Sequence, residues 1–479
     1  MNRNHTMIPS ATRRWQRFAS LAALALLTGC AALDPDAGFQ AVERIAQQRL
    51  GKDLQWARSP ADQPALQARV DQLLSQSLTA DAAVQIALLN NRGLQARLAE
   101  LGIGDADRVQ ASRLQNPGIS LARLRRGDEV ELERGLHFGL ASLIALPWQR
   151  ELADKRFAQA QREVTMAMLL LAAESRKAYF QALAAEQTLG YRRQVLQAAD
   201  ASAELARRMQ QVGNFSKLQQ AREQAFYADA ALGLLQAEQA VRSSRERLIR
   251  QLGLWGAQTG FKLPSRLPDL PASPINQPDI EREALTQRLD VMAAKQAAEQ
   301  TAAQLGLTRR TRFINVLELG ASDSRSNEAP TQRGWEISLE LPLFDWGEAR
   351  VVRAEALYMQ RLHQAAEVAI NARSQVREAY GAYRTAWDAA QHHRAELVPL
   401  RQLIAEQNLL RYNGMLIGVF ELLADARLQI GSVINSIDAL RDFWIAQADL
   451  DQAMVGPPAL AATAASTDSA GPAAGGAGH

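Results

Sequence analysis

The sequence has few of the residues from which disulfide-rich domains and thick globular cores are built. Among 479 residues there is one cysteine, and aromatic residues make up 6% of the chain. A single cysteine excludes a disulfide within the chain. The sequence also lacks the GxSxG, HExxH and P-loop motifs that place a nucleophile, a catalytic zinc or a bound phosphate. We therefore expect neither an enzyme nor a metal site.

Long hydrophobic runs are also missing. The apolar run Leu21–Leu27 is too short to span a bilayer, and it follows Arg13, Arg14 and Arg17, as in a targeting segment. Residues 1–29 carry four arginines and no acid, so their removal lowers Lys+Arg from 54 to 50 against 51 Asp+Glu, a net charge of -1. This balance gives no reason to expect a nucleic-acid partner.

The one cysteine stands shortly after the apolar run. Leu27–Cys30 reads Leu-Thr-Gly-Cys, which resembles the lipobox of bacterial lipoproteins. The resemblance implies a signal peptide over residues 1–29 and a diacylglycerol on Cys30, the only covalent group we expect in place of a cofactor. Ala31 is compatible with sorting to the outer membrane. The alternative is that Cys30 is a buried thiol.

The chain contains an internal repeat of two copies, each with the same order of helices and strands. Each copy begins with an alanine-rich helix, predicted over Ala83–Leu114 and Ile280–Thr311. Two strands follow, and then a long helical hairpin that turns at Gly213 or at Gly414. Such a repeat must be recognised before a fold is assigned.

The strands are predicted from alternation of apolar with small or polar residues. The first pair is predicted at Ile119–Arg125 and Leu136–Leu146, the second at Phe313–Ser322 and Trp335–Leu343. A polar loop is expected over Asp323–Gly334. In the last strand Trp335, Ile337 and their alternates are apolar and the residues between them are polar, as in a strand with one face toward lipid.

The long helices are predicted over residues 148–212 and 348–412, with a kink at Pro399. Their length, about 65 residues at roughly 1.5 Å each, predicts rods near 100 Å. The return helices run to about Leu252 and Met454. The predicted domains are a lipidated lead at 30–80, the first repeat at 81–254, a proline-rich linker at 255–279, the second repeat at 280–455 and a disordered tail at 456–479.

Four membrane strands cannot close a pore, and open sheet edges are not tolerated in lipid. Three chains would supply twelve strands, a number found in membrane barrels. Short segments recur at the ends of the strands and at the hairpin turns: Asn116–Gly118, Val212–Ser216, Leu341–Asp345 and Arg411–Tyr412 followed by Arg427. With these segments, the order of elements resembles the TolC-like outer-membrane efflux proteins.

That resemblance implies a mainly α fold with a membrane β-barrel. A homotrimer would form a twelve-stranded barrel on an α-helical periplasmic tunnel. It also implies a passive exit duct that works with a periplasmic adaptor and an inner-membrane pump. The chain would be anchored by Cys30 in the outer membrane of a Gram-negative bacterium, in contact with its lipid, and most of it would lie in the periplasm.

The resemblance also implies that the hairpin turns are periplasmic tips that contact the adaptor. The tip residues are Arg208, Gly213, Asn214, Ser216, Arg411, Tyr412 and Gly414. The simpler interpretation of each glycine is a helix terminator with positive φ. Both functions are compatible at the same residue.

Acidic side chains just inside the second tip are candidates for a constriction, because threefold symmetry would repeat each carboxylate as a ring. Glu421 and Asp425 stand four residues apart, on one helical face, whereas no carboxylate lies between Gly213 and Arg222. The alternative is a solvated helix face. Glu336 and Glu340 are candidates for the barrel lumen, or otherwise for exposed equatorial positions.

The substrate class stays open. A duct of the same fold could conduct small toxic compounds, secreted polypeptides or metal ions. A third hypothesis is a lipid-anchored periplasmic coiled-coil scaffold without a pore, against which the alternating strand at Trp335–Leu343 argues.

Overall fold

The computed structural model describes residues 34–311, 317–339 and 344–458. Cys30, the signal segment, Glu340, the Leu341-Pro342 pair and the tail from residue 459 lie outside these ranges. In the first copy the elements are α1 (Phe39–Leu50), α2 (Gln63–Leu74), α3 (Ala80–Asn90), α4 (Arg92–Ala111), β1 (Gly118–Arg126), β2 (Glu129–Gly139), α5 (Leu140–Gln211) and α6 (Lys217–Leu252). In the second they are α7 (Ile280–Gln287), α8 (Leu289–Thr311), β3 (Leu317–Ser326), β4 (Gln332–Leu339), α9 (Glu348–His392), α10 (Val398–Asn413) and α11 (Val419–Ala453).

The chain divides into two compact units, and each unit contains segments of both copies. The strand unit comprises Glu100–Gln161 and Gln300–Tyr358 together with residues 34–38. The helical unit comprises Phe39–Ala99, Arg162–Glu299 and the described chain from Met359 onward.

Each alanine-rich helix is interrupted once, where the sequence predicted a continuous helix. Asn91 ends α3 in an extended conformation (φ -66°, ψ 117°), and Arg288 ends α7 in nearly the same one (φ -69°, ψ 125°). Asn91 is also the cap of α4, because its Oδ1 accepts a hydrogen bond of 3.0 Å from the amide of Leu94. The side-chain Nδ2 of Asn90 donates to the carbonyl of Gly253 at 2.7 Å. The guanidinium of buried Arg288 donates to the carbonyl of Ala453 at 3.2 Å. Each break therefore places a side chain on the open carbonyls that end a return helix.

The first strand pair differs from its predicted bounds. The second strand ends at Gly139, and α5 begins at Leu140 with Pro147 inside it. Leu140, Leu143 and Ile144 have the i, i+3, i+4 spacing of a helix as well as partial alternation, and the helix is the pattern that prevails. In the second pair, most of the predicted loop Asp323–Gly334 is strand, so that residues 327–331 form the connection.

The four strands form one antiparallel sheet in the order β1-β2-β3-β4. Gly127, with φ of 60°, turns β1 into β2. The β2–β3 pair joins the two copies, and within it His137 lies opposite Gly320 and Arg134 opposite Asp323. Because β1 and β4 each pair on one side only, the sheet has two open edges within the chain.

Pro399 disturbs the long second helix as predicted. Between α9 and α10 lies a π-helical turn, His393–Leu397, in which the amide of Val398 donates to the carbonyl of His393. Pro399 has no amide proton to donate and stands at the start of α10, so the ladder changes spacing before it.

The helical unit is packed largely by alanine and leucine around a few aromatic rings. Phe180 of α5 stacks on Trp444 of α11 at 5.2 Å, which joins the two copies in one core. The proline-rich linker lies along this core, because Trp444 and Trp387 donate from Nε1 to the carbonyls of Pro268 at 3.1 Å and Pro271 at 3.2 Å.

Candidate functional site

One face of the sheet is apolar over its lower half, the half farther from the β1–β2 and β3–β4 turns. Alternation and register place several large apolar side chains on this half of the face, and six of them are exposed: Ile119, Leu121, Leu136, Leu319, Trp335 and Ile337. Trp335 is 75% exposed and Ile119 76% exposed. An apolar patch on a strand surface that has no covering layer marks contact with lipid or protein.

The upper half of the same face, nearer the turns, is rich in arginine. We call it the arginine band: Arg123, Arg125, Arg134, Arg325 and Arg333. Asp323 is the one acid among them, and its carboxylate pairs with Arg325 at 3.2 Å and with Arg333 at 3.1 Å. The face therefore changes from apolar to basic within two residues along β1 and β4, whereas β2 has one arginine, Arg134, between the apolar Leu136 and Leu132.

The opposite face of the sheet is acidic. Glu129, Glu131 and Glu133 occupy successive positions of β2 on this face, and Ser326 donates to Glu129 at 3.0 Å while Ser324 donates to Glu131. Among the described residues, this acidic face has one arginine, Arg126, at its turn end.

Glycine and serine fill much of the remaining acidic face. Gly135 and Gly320 flank His137, whose Nε2 lies 2.9 Å from the hydroxyl of Ser120. Glu336 lies on this face opposite Gly320, together with Glu318. The sheet thus brings Glu336 onto the same surface as the β2 glutamates, whereas Glu340 lies outside the described residues. A face of small side chains and carboxylates suits the inside of a water-filled barrel.

The first hairpin turns as the sequence predicted. Gly213 has φ of 82°, and the amide of Asn214 donates to the carbonyl of Met209 at 2.8 Å, the long bond of a Schellman turn. Ser216 starts α6 with a capping box, reciprocal with Gln219. Arg208 pairs with Glu204 at 2.7 Å in the last turns of α5. Hydrogen bonds from Arg208 and then Arg207 hold the pKa of Glu204 below its ordinary value of 4.5.

The second hairpin makes the same turn one residue later than predicted. Gly414 has φ of -79°, and Met415 takes the left-handed conformation with φ of 56°. The amide of Leu416 donates to the carbonyl of Arg411 at 2.8 Å, so Met415 is the counterpart of Gly213. The prediction that Gly414 needs positive φ is therefore wrong. The hydrogen-bond register fixes the turn, and Met415, 93% exposed, bears the steric cost.

The two acids of the second tip have partners within their own hairpin. The carboxylate of Glu421 lies 4.0 Å from the guanidinium of Arg411, and Asp425 accepts a hydrogen bond from Asn408. Tyr412 lies in the last turn of α10, partly exposed.

Glu223 is the acid that sequence reasoning missed. It lies seven residues after the cap Ser216, as Asp425 lies seven residues after the cap Gly418, so the first hairpin has an equivalent acid. Glu223 is 1% exposed and accepts from Ser202 at 2.8 Å and from Arg427 of the other copy at 3.1 Å. Counting both acids from the Schellman turn, rather than from the two glycines, would have found it.

Two further observations concern membrane-spanning helices and metal sites. Within the described residues, no helix combines the length and the apolar character needed to cross a membrane. No group of three or more His, Cys, Asp or Glu side chains in the described ranges is arranged to hold a metal ion.

Comparison with solved structures gives similarity over about four fifths of the chain. The chain matches CusC, described as forming a transmembrane channel, with a TM-score of 0.65 and 17% identity over 81% of this chain and 92% of that one. It matches the open-state MtrE outer-membrane channel of Neisseria gonorrhoeae with a TM-score of 0.66 and 19% identity over 81% of this chain and 89% of that one.

The chain has the fold of the TolC-like outer-membrane efflux proteins. The predicted resemblance is confirmed at the level of the fold. No family model matches the sequence.

The chain is also similar in sequence to a metal-resistance protein. The cobalt-zinc-cadmium resistance protein CzcC of Cupriavidus metallidurans is 23% identical over 293 residues, which are 58% of this chain and 66% of that protein. The match thus spans just under two thirds of the length of CzcC.

Proposed function

We propose that the protein is the outer-membrane exit duct of a tripartite efflux system. Three copies conduct substrates passively from a periplasmic adaptor and an inner-membrane pump to the exterior. The observation that carries the proposal is the sheet, which has one apolar face, one acidic face rich in small residues, and two unpaired edges.

The edges fit a closed ring. The strands alternate in direction, so β1 and β4 run in opposite senses. The β4 edge of one copy can therefore pair with the β1 edge of the next, and the whole ring stays antiparallel. Three copies give twelve strands with no edge exposed to lipid, where unpaired backbone groups cost several kcal/mol each.

The acidic face favours positively charged substrates. Threefold symmetry repeats Glu129, Glu131 and Glu133 around the lumen, and rings of carboxylates select cations in channels. The hairpin tips, including Arg208, Asn214 and Tyr412, face the adaptor, and the lipid on Cys30 anchors each chain.

Single-channel recording in planar bilayers tests the duct. We expect cation-selective conductance from the full-length lipidated protein. In the triple variant E129Q/E131Q/E133Q, the reversal potential measured in a salt gradient should shift toward zero, because cation selectivity is lost. The matched control is E129D/E131D/E133D, which keeps the charge and should keep the selectivity. A folded oligomer without conductance would overturn the duct in favour of a scaffold.

Metal-ion efflux is the second candidate for the same duct, supported by the similarity to CzcC and by the carboxylates of the acidic face. The metal is substrate here, and the acidic face attracts it without holding it. Growth of a deletion strain on cobalt, zinc and cadmium salts tests this candidate. Metal sensitivity of the deletion strain, with tolerance restored by the wild-type gene, supports metal ions as substrates. Unchanged metal tolerance together with new sensitivity to organic cations rejects them.

A further inference from the structure

We propose that the arginine band is a binding site for the phosphate groups of a membrane lipid, a phosphorylated glycolipid of the outer leaflet. The inference rests on the proposed function, because the apolar half of the face must lie in the membrane for the band to meet headgroups. The band is a surface distinct from the acidic face and from the hairpin tips.

The composition of the face supports an amphipathic ligand. The upper half of the face carries five arginines, one aspartate and the apolar Val130 and Leu132, and the apolar rows with Trp335 lie directly below it. Arg134 lies opposite Leu121 on one side and Asp323 on the other, and Arg123 lies opposite Leu132. Acyl chains would cover the apolar rows while phosphates meet the guanidinium groups.

Within the described part of the chain, the charge of the band is not neutralised. Asp323 is shared by Arg325 and Arg333. Among the described residues no ion pair involves Arg123 or Arg134, and the Nε of Arg125 donates to the carbonyl of Gly127 at 3.1 Å. Arginine binds phosphate through two parallel hydrogen bonds, and neighbouring strands bring diagonal side chains to about 7–8 Å, near enough to share one phosphate group.

Membrane energetics fix the depth of the band. An arginine on the lipid face costs about 2–4 kcal/mol at the bilayer midplane and about 0–1 kcal/mol near the interface. Five arginines on one face are therefore compatible with the headgroup layer. The band lies at the turn end of the sheet, and in a duct whose helices hang in the periplasm the turns face outward. The lipid of that leaflet is a glycolipid with phosphate monoesters.

The acidic face at the same height makes the binding one-sided. Glu129, Glu131 and Glu133 repel phosphate from the lumen, whereas the band attracts it on the outside. This sidedness also supplies the matched control, because Arg125 and Arg126 are consecutive residues on opposite faces.

The test uses full-length protein purified in neutral detergent and native mass spectrometry with bisphosphorylated lipid A as the probe. We expect bound lipid A in the wild type, and at least about tenfold weaker binding in R123Q/R134Q, since both substitutions remove charge-assisted hydrogen bonds to phosphate. R125Q should weaken binding and R126Q should not. Salt should weaken binding of the wild type more than that of R123Q/R134Q.

Three outcomes would overturn the inference: equal binding to wild type and R123Q/R134Q, equal loss in R125Q and R126Q, or binding of dioleoylphosphatidylglycerol as tight as that of lipid A. Conductance of the same variants is recorded in bilayers of neutral lipid. Normal conductance with no lipid A binding rejects the lipid site and leaves the duct intact, whereas absent conductance in the wild type rejects the duct itself.

Discussion

At the scale of single residues, the two tips make the same backbone turn with different side chains. Gly213 occupies the left-handed position of the first tip, and Met415 occupies it in the second. We expect Gly213→Ala to cost about 1 kcal/mol of local stability, because a Cβ is strained at positive φ. Gly414→Ala should cost nothing, since its φ is negative and the nearest atom to an added Cβ is 3.6 Å away.

Hydrogen exchange at the amides of Asn214 and Leu416 measures these opening free energies. The pair of variants is its own control, because each removes one glycine from an equivalent turn. Equal destabilisation by both substitutions would contradict the assignment of Met415 as the counterpart of Gly213.

The Glu223–Arg427 pair joins the two hairpins at a buried position. Removing Arg427 leaves a buried carboxylate with one remaining partner, Ser202. We therefore expect Arg427→Gln to destabilise the helix contact more than Glu223→Gln, with a coupling energy of about 1–3 kcal/mol in a double-mutant cycle.

Exchange rates of amides in α6 and α11 report this coupling. Arg282→Gln, which breaks an exposed pair with Asp279, is the control and should change little. Additive effects of the two substitutions would show that the pair contributes no interaction of its own.

Cys30 gives a residue-scale prediction that concerns the anchor. Cys30→Ala should abolish incorporation of labelled palmitate and lower recovery of the protein in the outer membrane fraction. Retained labelling would refute the lipobox interpretation. Since Cys30 is the one cysteine of the chain, no other thiol can substitute for it.

At the scale of elements, the alternation along each strand determines which face of the sheet a side chain occupies. Ile337 and Glu336 are neighbours in β4 and lie on opposite faces. In proteoliposomes we expect a water-soluble maleimide to label Glu336→Cys several-fold faster than Ile337→Cys, because the first position would face the aqueous lumen of the proposed duct. Brominated lipid should quench a fluorophore at position 337 and leave one at 336 bright.

Equal labelling and equal quenching at the two positions would contradict the assignment of the faces. Ile119→Cys and Ser120→Cys repeat the comparison on the edge strand β1. Agreement between the two pairs would show that both edges of the sheet follow one alternation.

At the scale of the whole molecule, the open edges require partners. We expect light scattering of the detergent-solubilised protein to give three times the mass of one chain, since three copies close twelve strands. Cysteines placed on β1 and β4 should form a disulfide between chains and none within a chain. A monomer or a dimer with conductance would contradict the ring of three.

Much of this organisation was readable from the sequence because it depends on local rules. Alternation in Trp335 and Ile337 predicted the strand, glycine after α5 predicted the first turn, and Pro399 predicted the irregular helix. Strand and helix could not be distinguished at Leu140–Leu146, because short apolar runs fit both periods.

The breaks at Asn91 and Arg288, the exchange of Gly414 for Met415 and the pairing of Glu223 with Arg427 were decided by tertiary structure. Each depends on a partner distant in the chain or on hydrogen bonds that fix the register of a turn. The sequence by itself determined the duplicated order of elements and the two-sided strands, since periodicity is a local property. Only the tertiary structure assembled five arginines from four strands into one band, because register between strands decides which side chains share a surface.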